Sequence, residues 1–131
     1  MMQSIEVLES KINFLTLTIE DIYKEINKNF DFTKFIIDND LTSTQAVLIV
    51  KALTIMNYRR LNLLDKFKEN FNDDSRFHII LNNDVPRFND FDKFLKSVDL
   101  NLDCEMLLKS LEKQKIGEDI CKFLLEDKLN N

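Results

Sequence analysis

A single glycine, Gly117, and a single proline, Pro86, serve the whole 131-residue chain. Tight hairpins, phosphate-cradling loops and flexible linkers all draw on these two residues. Glycine reaches positive φ without a Cβ clash, and proline presets the φ of a turn. Without them the chain is restricted to helices joined by short polar connections, and a glycine-rich nucleotide loop is out of reach. The length suits one core, so the expectation is a single all-α domain over 1–131, an assembly helix at about 3–27 and a helical body at about 30–128.

The most regular pattern lies in the first helix, expected from Gln3 to about Asn27. Ile5, Leu8, Ile12, Leu15, Ile19, Ile22 and Ile26 follow steps of three and four without a break. Isoleucine takes every a position and leucine the first two d positions, a pattern that in parallel pairs favours two strands. Isoleucine at both a and d toward the end (Ile19, Ile22, Ile26) pulls toward higher states. Ser4 opens the helix, and Glu6 and Glu9 suit its positive end. The flanking positions carry little charge for a free-standing zipper, while Phe14 and Leu17 add apolar surface away from the seam. The expectation is a seam between copies of the chain, with the helix also leaning on the rest of its own domain so that both apolar faces are used.

A short helix is expected over Asp31 to Asp38, with Phe32, Phe35 and Ile36 on one side. Thr42 and Gln45 then form a capping box, in which each side chain satisfies a free amide of the other. The helix they open is expected to reach about Asn70 on a stripe of Ala46, Ile49, Val50, Leu53, Met56 or Asn57, Leu61, Leu64, Phe67 and Phe71, with a polar interruption at Arg59-Arg60. Ser75 is expected to cap a short piece, and Val85 to be extended before Pro86. Further helices are expected over Asn89–Ser97, after an Asp103 N-cap, and from Glu118 to about Lys128. Gly117 is expected to stop the penultimate helix with positive φ.

Chemistry-bearing residues are scarce. The one histidine, His78, lies among Phe77, Ile79 and Ile80 with no nucleophile pattern around it, and reads as a locally bonded side chain. Cys104 and Cys121 read as reduced packing residues in a leaderless, cytoplasmic protein. Neither the spacing of these three nor the acidic stretches at Asn72–Asp74 and Asn89–Asp92 fits a zinc or calcium site, so no metal or cofactor is expected. A net charge of −5 with dispersed lysines disfavours nucleic acid, and no apolar run suits a membrane. The stretch Leu41–Ala46 opens like a helix-turn-helix, but Val47 to Leu64 continues without a turn. Tyr58, Arg59 and Arg60 form the one local basic spot that could meet an acidic partner, although a pair of solvated arginines bridging to Glu or Asp on a neighbouring helix is the preferred reading.

Three anchors carry a family resemblance: Ile5–Glu9 with its heptad helix, Phe35–Thr42 with its turn into a capped helix, and Leu102–Leu111 followed by Ile120 and Phe123. On these the chain resembles the YhaI-like family of small helical proteins from Firmicutes. Asn70 to Pro86 looks longer than the family pattern, and the two cysteines are not features of it. The resemblance implies an all-helical fold assembling through its N-terminal helix, and brings no activity or catalytic residue with it. The function expected from the sequence is that of a non-enzymatic interaction or regulatory adaptor. It would act as a homodimer or higher oligomer through the seam, with Phe14, Tyr58, Arg59 and Arg60 toward a protein partner. The alternative is an effector from a phage or other mobile element that binds and inhibits or redirects a host protein.

Overall fold

A computed structural model describes residues 5–26 and 30–131, with side chains at 5–18 and 30–131. Gln3, Ser4 and Asn27, and the side chains of Ile19, Ile22 and Ile26, lie outside the described residues. In order come α1 (Ile5–Ile26), α2 (Asp31–Asp38), α3 (Ser43–Arg60), α4 (Leu64–Phe67), 3-10 turns at Lys68–Asn70 and Ser75–Ile80, α5 (Phe88–Ser97), α6 (Cys104–Lys113) and α7 (Glu118–Asn130). Among the described residues there is no strand, so the protein is all-α.

The body closes around α3 and α7. α7 packs against α3, α5 and α6; α2 covers α6, and α5 lies on α3 and on the Ser75–Ile80 turn. Because α3 has neighbours on two sides, its buried face is broad: Leu48, Ile49, Ala52, Leu53, Ile55, Met56 and Arg59 all face inward. This face is wider than the expected stripe and rotated from it. Rings link the elements, with Phe77 stacked on Phe94 at 5.9 Å and Phe94 stacked on Phe91 at 6.5 Å. No described side chain of α1 is buried with this core, so the expected lean of α1 on its own body through Phe14 and Leu17 is not made: both side chains are exposed.

Local signals set several boundaries. The Thr42 hydroxyl accepts from the Gln45 amide at 3.1 Å, and the Gln45 side chain accepts from the Thr42 amide at 2.9 Å, so the capping box is formed. Asp103 accepts from the Met106 amide at 3.0 Å and starts α6 as expected. The 3-10 turn at Ser75 is capped instead by Asp74, which accepts from the Arg76 amide at 3.0 Å. Other ends are tied across the fold. Asp127 on α7 accepts from the Phe88 amide at the start of α5 (2.9 Å), and Gln114 accepts from the Thr33 amide at the start of α2 (3.0 Å).

The helix stops depart from expectation. The long helix does not reach Asn70: α3 ends at Arg60, and Asn62 at φ 58° turns the chain before α4. Gly117, at φ 59°, is not the stop of α6 but the N-cap of α7. The stop of α6 belongs to Lys115, at φ 62°. The same device recurs four times. Asp40, Asn62, Asp99 and Lys115 each take positive φ. The next residue (Leu41, Leu63, Leu100, Ile116) then donates its amide five residues back, at 2.8–2.9 Å. This is a Schellman closure, with the apolar residue just past the turn serving as its anchor and glycine absent from the usual position.

Candidate interaction surface

The described half of the heptad seam is open. Ile5 is 75% exposed, and Leu8, Ile12 and Leu15 are exposed with it. α1 also carries a second row at three-four-three spacing: Val7, Ser10, Phe14 and Leu17. At 100° per residue this row lies about 160° around the helix from the seam. Phe14, picked out from the sequence as a contact, belongs to it and is 69% exposed. Val7 and Leu17 are exposed as well. α1 is thus apolar on two opposite faces, and neither described face is buried.

The expected basic spot separates into three environments. Arg59 does not face solvent; it is 3% exposed. Its Nε donates to the Asp84 carbonyl at 3.0 Å, and one Nη pairs with the Asp90 carboxylate at 3.0 Å. The reading of Arg59 as a surface contact is therefore corrected: the guanidinium pins the Ile80–Val85 segment to the body. Asp90 also accepts from the Arg87 amide at 3.1 Å, so one carboxylate holds the arginine and caps α5. Tyr58 stacks on Phe67, with ring centroids 4.5 Å apart. Arg60 is half-buried, its guanidinium folded onto the Asn57 side chain at 2.9–3.0 Å.

Two hollows run along α3. One, of roughly 240 Å³, lies between Phe32, Ala46, Val47, Val50 and Lys51. The next, of roughly 220 Å³, lies between Val50, Leu53, Tyr58 and the α7 start at Gly117 and Ile120. Val50 lines both, and Val47, 52% exposed, edges the first. The signal for that first hollow was present in the sequence, since Val47 is apolar yet falls outside the expected stripe of α3. A separate hollow between α2 and α6 is floored by Phe35 and Met106.

The remaining candidates have local roles. His78 is exposed, and its Nε2 lies 3.1 Å from the Asn72 carbonyl. Asp74 of the acidic stretch is bonded by the Arg76 guanidinium, which holds its carboxyl down at about 2. Cys104 and Cys121 are free and buried. Burial pushes both thiols up to about 12, helped by the carboxylates of Asp92 and Asp103 for Cys104 and of Glu112 for Cys121. A shift from 9.0 to about 12 cuts the thiolate population by about a thousandfold near neutral pH. Iodoacetamide at pH 8 is accordingly expected to leave both cysteines unmodified in the folded protein and to alkylate both in denaturant, as read by intact mass.

Among the described residues no group of His, Cys, Asp or Glu is placed to hold a metal ion, and no helix is long and apolar enough to cross a membrane. Comparison of the chain with protein-family models, with curated proteins and with solved structures gives no match.

Proposed function

We propose that this protein is a non-enzymatic interaction protein that self-associates through α1 and works as an adaptor for another protein. One observation carries the reading: the body closes a core of its own, while the described heptad residues of α1, Ile5, Leu8, Ile12 and Leu15, stay in water. Ile5, Leu8, Ile12 and Leu15 expose on the order of 400 Å² on the seam if a fully exposed large apolar side chain offers about 150–200 Å², and Phe14 and Leu17 expose about 200 Å² on the opposite face. The largest contiguous apolar patch of a typical monomer is about 300–600 Å² and is often functional, so the described part of the seam is by itself a patch of that rank. A second copy of the same helix offers a matching seam by symmetry. The likeness to the YhaI-like proteins, carried by the opening helix and the capped turn at Thr42, points the same way.

Light scattering on the wild type and on Ile12→Asp/Leu15→Asp tests this. The expected result is a wild-type mass of two chains or more that falls to one in the double variant. The circular dichroism of the body should be kept, because neither residue touches the core. A monomeric wild type at tens of micromolar would overturn the reading.

A further inference from the structure

The residues that flank the seam of α1 change character halfway along the described helix. Beside Leu8 and Ile12 they are Glu9 and Lys11; beside Leu15 they are Thr16 and Thr18. We propose that the seam closes a bundle of three or four copies of this chain, with the Thr16 and Thr18 flanks covered by neighbouring helices. The inference rests on the self-association proposed above and adds the number of copies.

The two threonines carry the argument. In a two-stranded pair the flanking positions stay partly in water and are commonly Glu and Lys, whose ion pairs cross from helix to helix. In a larger bundle each helix meets two neighbours, and a flanking polar group that is covered needs a partner of its own. A threonine hydroxyl has one proton to donate. Thr16 donates it to the Ile12 carbonyl and Thr18 to the Phe14 carbonyl, both at 2.9 Å. Each donor is satisfied within its own helix, so covering these side chains strands neither proton, and each offers a methyl group for packing.

The width of the face agrees. At 100° per residue Thr16 lies 100° to one side of Leu15 and Thr18 60° to the other, with Ile12 between Leu15 and Thr16. These four residues cover an arc of about 160°, wider than the narrow two-position seam of a pair. The sequence continues in the same sense. Ile19, Ile22 and Ile26 put isoleucine at both a and d, the choice that shifts helices from two strands to three or four. None of the seven seam positions holds a polar residue that would impose another state. Glu9 and Lys11 do not oppose this, because long charged side chains lay their stems along a neighbour and keep their heads in water.

Sedimentation equilibrium on the full chain at tens of micromolar reads the mass directly. The expected wild-type value is at least three times the 15.5 kDa of one chain. Thr16→Glu/Thr18→Lys charges both flanks and is expected to bring the mass below three chains. Thr16→Val/Thr18→Val removes the hydroxyls, keeps the size and is expected to leave the mass unchanged. The circular dichroism of the body should be the same in all three proteins, because neither threonine belongs to the core. A wild-type mass of two chains would overturn the proposal. So would a charged variant that keeps the wild-type mass, since flanks that tolerate charge are flanks in water. A wild-type mass of one chain would instead sink the self-association itself, which keeps the two failures apart.

Discussion

Arg59→Ala is expected to destabilise the body by about 3–5 kcal/mol, the range seen when one partner of a buried charge pair is removed. The side chain is 1% exposed and runs between α3, the Ile80–Val85 segment and α5. Truncation strips the Asp84 carbonyl and the Asp90 carboxylate of donors 3.0 Å away and leaves the volume of the arginine stem empty. Asp90→Asn should cost less, because that carboxylate is 36% exposed and water can replace part of the pair. Arg59→Met separates packing from bonding. It keeps an apolar stem in place and recovers only part of the loss, since the Ile80–Val85 carbonyls still lack their donor. Urea unfolding gives the energies, and amide exchange over 80–87 should accelerate in both Arg59 variants. An Arg59→Ala protein within 0.5 kcal/mol of wild type would mean that the guanidinium is not holding the loop.

Phe94→Ala should cost a similar amount, about 3–5 kcal/mol, for a different reason. Phe94 is fully buried and stands between the Phe77 and Phe91 rings, joining α5 to the Ser75–Ile80 turn. The deletion opens a cavity that stacked neighbours cannot collapse into without leaving their rotamers. Phe94→Leu, which restores most of the volume but none of the stacking, should cost about 1–2 kcal/mol. The contrast is Phe14→Ala. The same residue type at 69% exposure should shift the unfolding of the body by no more than about 0.5 kcal/mol, while weakening association. Equal losses from Phe14→Ala and Phe94→Ala in a dilute, monomeric sample would show α1 to be part of the core.

What could be read from the sequence was what neighbouring residues decide among themselves. The bounds of α2, the Thr42–Gln45 box and the Asp103 cap each depend on residues within a turn of one another, and all three are present. The exposure of Phe14 could not be read from its spacing, since an apolar residue outside the seam is equally placed to lean on the body. That an arginine here pairs with an acid on a neighbouring helix could be read, but the burial of Arg59 could not, because its partner Asp90 is 31 residues away and a pair of arginines looks the same whether buried or solvated. The end of α3 was legible only as the polar interruption at Arg59-Arg60, where α3 does end. Leu61, Leu64 and Phe67 continue the helical apolar spacing through the break, which is why the sequence reading carried the helix on. Gly117 misled in the opposite sense, since positive φ at a helix N-cap is one of two uses for a lone glycine so close to the next helix.

The four Schellman closures have a consequence for how the body holds its shape. At Asp40, Asn62, Asp99 and Lys115 a side-chain-bearing residue occupies a conformation that costs most residues about 1–2 kcal/mol, least for Asn and Asp and most for Lys115. Each turn is held against that cost by the residue after it, and for Leu41, Leu100 and Ile116 that residue is drawn into the core. These helices therefore do not contain their own full stops. Their lengths are written by the assembled body, and punctuation and packing are gained or lost in the same event.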